Sequence, residues 1–512
     1  MWRLMSMTLA VILALGVAGN VMEPSWTPEP YTAPATYTHV QPAPAVRPAT
    51  VYDRVIREPV RVELRGESVG AFVYAPPARG SHPAVVMLHG AGTKLHTAFD
   101  EQATHLARSG VVVLVMDKRM TGYSAWHRDF ESMADDALAG VDLLRRRADV
   151  DPDRVGVFGE SEGAWVAPIA AAKDPQIAFQ ALVSAPIVSP AQQATYATLM
   201  AFDGLDVPEP VYRAVAKGIG TALSLPGVLD YADFDVLPWL ARTMQPTLLV
   251  FGTDDPAVPV VEAAELARAT ANGPVAVRYF DGAQHAIRLG SAEGPFASGY
   301  LDTLASWIRQ QPDAEAPDRP DPVGATPVQV IAATAAPPSP WYATAYAHLA
   351  VLGVALAGYA AGPVAALVRR LRRPGAGPAM SRERRRSLRR VRWLGLASLG
   401  GLIAYFVGLS HLALNQWANP LLIYGVWALV WLVTAGAVMA LLNLWLGDAW
   451  RGDGGNPRSG AVGFDPVTGS HSEPVAAVPR LTRVETVARA GTVTGTALFL
   501  LVVTYWGVFL GI

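Results

Sequence analysis

A serine between glycines, a pair of aspartates and a histidine follow one another along this chain, and together they have the groups needed for acyl transfer. The serine lies in Gly159-Glu160-Ser161-Glu162-Gly163, after the apolar run 155–158 and before a run of small apolar residues beginning at Ala164. A buried strand turning sharply into a helix at G-x-S-x-G is a nucleophile elbow. The turn strains the serine at the top of a sheet, and the glycines remove the Cβ atoms that would collide with neighbouring backbone. A serine hydroxyl attacks a carbonyl only with a base to take its proton, a group that orients and charge-balances that base, and donors for the oxyanion. Downstream, Gly252-Thr-Asp254-Asp255-Pro-Ala-Val-Pro259 follows one apolar strand and Asp281-Gly-Ala-Gln-His285 follows the next. Both positions fall at the carboxyl edge of the sheet that carries the elbow, where side chains converge. The residues alone do not separate Asp254 from Asp255. A helix N-cap role for Ser161 leaves the paired glycines unexplained, and a plain loop role for His285 leaves its place after a strand unexplained.

The elements that position these groups read as an alternating α/β pattern. Strand-like alternation at 60–65 and 71–75 across Gly66–Gly70 predicts an antiparallel hairpin. Apolar strands follow at 84–88, ending in His89-Gly90-Ala91-Gly92, and at 111–116, ending in Asp117-Lys-Arg-Met-Thr-Gly-Tyr-Ser124. Helices are expected near 97–109 and 133–148, then the elbow and a strand at 179–184. Residues 189–243 break the alternation with a helical, aromatic-rich insert, expected to cap the site. The pattern resumes with strands at 247–252 and 275–280 and closes on a helix at 296–310. This predicts a doubly wound, mostly parallel sheet covered on both faces, with a helical cap insertion.

Outside that core the composition changes. Charged residues make up 16% of the 512 residues, and mean hydropathy is +0.25, so membrane segments are expected. Residues 1–22 carry one arginine, an apolar run and small residues at Gly16, Ala18 and Gly19, as in a signal peptide or a signal anchor. Residues 23–50 and 312–340 are Pro-rich linkers bounding a domain at 51–311. Residues 341–512 form an all-α membrane domain with apolar stretches at 342–368, 393–414, 421–446 and 488–510, each long enough to span a bilayer. The loop 369–392 is dense in arginine, including Arg369, Arg370, Arg372, Arg373, Arg389 and Arg390. The positive-inside rule makes it cytoplasmic and a contact for anionic lipids. Counting back along the spans places the 51–311 domain outside, in agreement with the N-terminal export signal. Gly358-x-x-x-Gly362 and Gly491-x-x-x-Gly495 are weak marks of helix contact. Net charge is −2, which argues against a nucleic-acid partner. The absence of cysteine rules out disulfides and a thiolate nucleophile, and no metal-binding motif is present. Arginine-rich, lysine-poor usage points to a GC-rich bacterium, hence to a multi-pass protein of a bacterial cell membrane.

Residues of about 60–311 resemble the α/β-hydrolases, and within them the dienelactone-hydrolase-like and S9-peptidase-like bacterial serine esterases. The blocks that carry the resemblance are His89-Gly-Ala-Gly, Asp117-Lys-Arg-Met-Thr-Gly-Tyr-Ser, Gly159-Glu-Ser-Glu-Gly, Gly252-Thr-Asp-Asp-Pro-Ala-Val-Pro and Gly-Ala-Gln-His285. The resemblance implies a triad of Ser161, Asp255 and His285, oxyanion donors at the backbone N–H groups of Ala91 and Glu162, and no cofactor. Met120 departs from the glycine usual at its place in the family's turn. The membrane domain lies outside the resemblance. The expected activity is a membrane-tethered, extracytoplasmic serine hydrolase that cleaves ester bonds of a small or lipid-like acyl substrate. The competing readings are an envelope peptidase or acyltransferase using the same triad, and a non-catalytic sensing or binding ectodomain. Glu160 and Glu162, beside the serine, either repel anionic substrates or are simply solvated.

Overall fold

The computed structural model describes residues 2–22, 26–43, 48–49, 51–223, 229–311, 322–375, 377–378, 380–414, 417–453 and 482–509. Parts of both Pro-rich linkers, five residues of the 189–243 insert and most of the loop expected at 447–487 lie outside these. The chain divides into two compact units. One comprises Met1–Trp26, Phe202–Ser224 and Pro338–Ile512; the other comprises Thr27–Ala201 and Leu225–Pro337. The first helix, α1 (Trp2–Met22), belongs to the former, helical unit.

The second unit is built on a nine-stranded sheet: β1 (Ile56–Glu63), β2 (Ser68–Ala75), β3 (His82–Leu88), β4 (Val112–Met116), β5 (Val150–Glu160), β6 (Gln180–Val183), β7 (Thr247–Gly252), β8 (Val275–Phe280) and β9 (Val323–Gly324). The strand order is β1-β2-β4-β3-β5-β6-β7-β8-β9. The β1–β2 hairpin pairs Val60 with Ala71, β2 runs antiparallel to β4, and every later pairing is parallel. The central parallel strands are apolar over their buried stretches, such as 112–116 and 248–251, because helices cover both faces. One face packs Val86, Leu114, Val157 and Leu249 against α3 (Phe130–Arg145) and α4 (Gly163–Lys173). The other packs Val85, Val113, Phe158 and Val250 against α2 (Asp100–Arg108) and α8 (Tyr300–Gln310). Asp129 caps α3, its side chain accepting from the Ser132 N–H at 3.0 Å. The Pro-rich stretches also contribute here: Tyr37 is buried edge-on to Tyr279, and Val323–Gly324 adds the last strand.

The 189–243 insert is divided between the units. Helix α5 (Pro190–Asp203) starts in the sheet unit, and α6 (Glu209–Leu223) lies in the helical unit. There Lys217 Nζ donates to the Tyr505 carbonyl at 3.1 Å and Thr221 Oγ1 to the Ala343 carbonyl at 3.1 Å. After α7 (Val260–Thr270) and α8 come the long helices α9 (Ala345–Arg372), α10 (Arg382–Leu414), α11 (Val426–Asp453) and α12 (Arg483–Tyr505). With α1, five helices among the described residues are long and apolar enough to cross a membrane. The two glycine pairs face one another: a Cβ at Gly358 would meet the Gly491 carbonyl oxygen at 2.6 Å, and one at Gly362 the Ala488 Cβ at 2.6 Å. Small residues let α9 and α12 approach at backbone contact, which is how helices associate where apolar burial no longer drives them together. Tyr359 OH hydrogen-bonds Thr496 Oγ1 at 2.8 Å across the same seam. His348 makes a 3.0 Å bond to the Thr344 carbonyl of its own helix.

Candidate active site

The elbow forms because β5 runs directly into α4. Ser161 sits at φ 55°, a left-handed conformation that costs a non-glycine residue about 1–3 kcal/mol, and its N–H donates to the Val183 carbonyl at 2.9 Å. A Cβ at Gly159 would land on the Gly163 backbone, and one at Gly163 on the Leu88 carbonyl. Both glycines are therefore required by close approach.

At the end of β7, Asp255 is buried and Asp254 exposed. His285 follows β8 in a short turn and points Nδ1 at the Asp255 carboxylate, 2.9 Å from Oδ2 and 3.1 Å from Oδ1. Asp255 Oδ1 also accepts the Ala257 N–H at 2.9 Å, so its carboxylate is held from two sides. Asp254 instead receives the Thr253 hydroxyl at 3.1 Å. The imidazole turn is tied to β6 by the Ala286 N–H, which donates to Ser184 Oγ at 3.1 Å. Burial opposes the charged imidazolium, but the Asp255 carboxylate outweighs it and His285 is raised above its ordinary pKa. With Nδ1–H committed to Asp255, Nε2 is the nitrogen left to take a proton. The Ser161 hydroxyl itself makes no hydrogen bond to a described residue. Neither do the N–H groups of Ala91 and Glu162 donate to one. Bonds from such a hydroxyl commonly tighten only with substrate in place.

The sequence reading missed a charge cluster beside the serine. The Glu162 carboxylate is buried between two cations: Lys118 Nζ donates to Oε1 and Arg128 Nε to Oε2 at 2.7 Å. Lys118 also donates to the Gly90 carbonyl at 2.8 Å and to the Tyr123 hydroxyl at 3.0 Å, and that hydroxyl accepts the Gly92 N–H at 2.8 Å. Arg128 stacks 4.0 Å from the Tyr123 ring centre. The residue after the serine is thereby locked to the Gly90–Gly92 loop, which carries Ala91. Burial lowers the Lys118 pKa, against the attraction of Glu162. Glu162 is neither solvated nor a free negative charge. The signal available in the sequence was two cations and a tyrosine in the 118–128 loop, beside an acid in the elbow. Glu160 is different: its Oε2 is buried with no partner, and burial raises its pKa. Met120 does not adopt a positive φ, so no glycine is needed there; Gly122 supplies the turn at φ 76°. His89 stacks on Phe99 with ring centres 4.8 Å apart and donates Nε2–H to the Met116 carbonyl at 2.7 Å. Burial lowers its pKa to about 4, so it braces the loop as a neutral ring. Among the described residues no group of three or more His, Asp and Glu side chains is placed to hold a metal ion.

Residues 97–311 match the prolyl oligopeptidase family. The sheet order, with its antiparallel opening strands, and the elbow between β5 and α4 agree with that match. This domain has the α/β-hydrolase fold. The chain is 37% identical over 103 residues to an uncharacterized protein of Mycobacterium tuberculosis, an alignment covering 20% of this chain and 36% of the relative. It is 28% identical over 132 residues to the quorum-quenching protein AidA of Acinetobacter baumannii, covering 25% of this chain and 43% of that protein. The chain thus spans well under half the length of the curated relatives it matches. Among solved structures it is similar to EstE1, a carboxylesterase cloned from a metagenomic library, with 20% identity, TM-score 0.35, and coverage of 51% of this chain and 91% of that one. It is also similar to a dienelactone hydrolase from Anabaena variabilis, with 19% identity, TM-score 0.33, and coverage of 50% and 96%.

Proposed function

We propose that this chain is a membrane-tethered serine hydrolase that cleaves ester bonds through an acyl-enzyme, its hydrolase domain on the extracytoplasmic side. The observation that carries the reading is the Asp255–His285 pair, set on the strand edge that also presents Ser161 in a strained elbow. In the proposed reaction His285 Nε2 takes the Ser161 proton as Oγ attacks the acyl carbon. Asp255 holds the tautomer and stabilises the imidazolium, and the N–H groups of Ala91 and Glu162 receive the oxyanion. His285 returns the proton to the leaving alkoxide. Water, deprotonated by the same ring, then releases the acid. The Lys118–Glu162–Arg128 cluster supports this by holding the two oxyanion donors in register and by cancelling the negative charge beside the serine, which would oppose oxyanion formation.

The similarity to the prolyl oligopeptidase family favours a second reading, an envelope peptidase using the same residues. Full-length protein treated with a fluorophosphonate probe is expected to label at Ser161, and p-nitrophenyl esters to be cleaved faster than aminoacyl-arylamides. Preference for the arylamides favours the peptidase. Absence of labelling in folded protein favours a binding or sensing ectodomain and ends both enzyme readings. Protease accessibility of the hydrolase domain in intact cells against inverted vesicles tests its side of the membrane.

A further inference from the structure

The helical unit contains a second built site, remote in sequence from the elbow. A cavity of about 750 Å³ opens where the ends of α9, α10 and α12 meet, within the size range of small-molecule sites. Five arginines line it: Arg369 and Arg370 from the last turn of α9, and Arg385, Arg389 and Arg392 from α10. The α10 residues are spaced i, i+4, i+7, which sets them on one face of the helix. Among the described residues no carboxylate lines the cavity. The neighbouring acid Glu485 closes a capping box at Thr482 and pairs with Arg384, which does not line the cavity.

Most of this positive charge is unspent. Arg392 is held by Thr492 Oγ1 at 2.7 Å and by the Ala488 carbonyl at 3.4 Å. The side chains of Arg369, Arg370, Arg385 and Arg389 make no hydrogen bond or ion pair to any described residue, and Arg369 Nη1 is buried in that state. Burying an unpaired guanidinium nitrogen is unfavourable unless something else accepts its hydrogen bond. The remaining wall is apolar, with Leu367, Leu388 and Val484. A guanidinium fork matches phosphate oxygens in pairs, and an apolar wall beside it matches an acyl chain.

We infer that this cavity binds the phosphate headgroup of an anionic phospholipid, with its acyl chains leaving along the apolar wall. The site needs no contribution from the hydrolase chemistry and stands apart from the proposed function. The test uses full-length protein purified in non-ionic detergent. Phosphatidylglycerol, phosphatidylcholine and inorganic phosphate are each titrated, with bound lipid counted by native mass spectrometry and thermal unfolding followed in parallel. Phosphatidylglycerol is expected to bind saturably, at least about tenfold tighter than phosphatidylcholine, and the double variant R369Q/R389Q to weaken it about thirtyfold. R372Q/R373Q removes the same charge outside the cavity and is expected to change binding less than about twofold. R369K/R389K keeps the charge, loses the fork, and is expected to fall between them, so the site remains testable if the glutamine pair unfolds. Equal weakening by R372Q/R373Q would reduce the effect to diffuse surface charge and overturn the site. So would phosphatidylcholine binding as tightly as phosphatidylglycerol. Stabilisation by inorganic phosphate equal to that by lipid would identify a free-anion site instead and overturn the lipid assignment.

Discussion

Two clusters of positive charge, one in each unit, are built on opposite principles: the side chains of the first are buried, while Arg370, Arg385 and Arg389 of the second are exposed. Beside the elbow, Lys118 and Arg128 close on Glu162, so each of the three charged side chains has an opposite charge within the protein. In the helical unit, among the described residues, five arginines share one cavity with no carboxylate, and four of them are unpaired. A charge balanced inside the fold acts as a brace, because moving any member exposes an uncompensated partner. A charge left unbalanced has its binding capacity still to offer. The first cluster therefore fixes the backbone beside Ser161, where the proposed reaction would occur, and the second is suited to the ligand proposed for it.

The largest effects are expected at the residues the brace serves. Ser161→Ala should abolish fluorophosphonate labelling and lower ester turnover by about 10⁴-fold or more with folding intact. Asp255→Asn should lower kcat by about 10³- to 10⁴-fold, because Nδ1 loses its tautomer lock. Steady-state kinetics and circular dichroism on the full chain check both. Asp254→Asn should leave kcat within a fewfold of the parent, and a loss comparable to that of Asp255→Asn would reverse the assignment between them.

The brace itself comes next. Glu162→Gln strands two buried cations and should cost about 3–5 kcal/mol of stability in the hydrolase domain, read from denaturant unfolding. Lys118→Met paired with Glu162→Gln should be milder than Glu162→Gln alone, since fewer charges are left unmatched. In the helical unit, without anionic lipid, Arg389→Gln should shift stability by less than about 1 kcal/mol or even raise it, because no internal partner is lost. A loss as large as that of Glu162→Gln would erase the contrast between the clusters.

The smallest effect is on pH dependence. His285 must be neutral to accept the serine proton, and its pKa is raised by Asp255 despite burial. The acid limb of kcat/KM should therefore lie above the ordinary histidine value of about 6.5, activity falling as the pH drops through it. In Asp255→Asn the carboxylate is gone and burial remains, so the residual activity should show its acid limb displaced downward. A limb unmoved by that substitution would separate His285 from the proton transfer.

Much of the hydrolase domain was legible beforehand, because its signals are local. Strand periodicity, the glycines about Ser161 and the positions of Asp255 and His285 after successive strands follow from spacing alone. So did the apolar spans and the two glycine pairs, which the structure sets against one another at Gly358 and Gly491. What stayed hidden depends on where a loop travels. Lys118 and Arg128 lie 44 and 34 residues from Glu162, and nothing in their spacing announces an ion pair. The 189–243 insert carries one helical composition throughout, yet its middle, Phe202–Ser224, packs with the long helices.

The sequence by itself determined the order of chemical groups, the sheet that presents them and the apolar helices, because periodicity and turn residues act over a few positions. The stretch 369–392 reads as a loop in the sequence, whereas the structure begins α10 at Arg382 and so sets Arg385, Arg389 and Arg392 on one helical face. Only the tertiary structure decided that Asp255 rather than Asp254 meets the imidazole, that Glu162 is neutralised, and that Arg369 and Arg370 complete the α10 row around a cavity. The first two outcomes turn on which side chains are excluded from water together and the third on where helix ends meet, properties of the packed chain and of no segment within it.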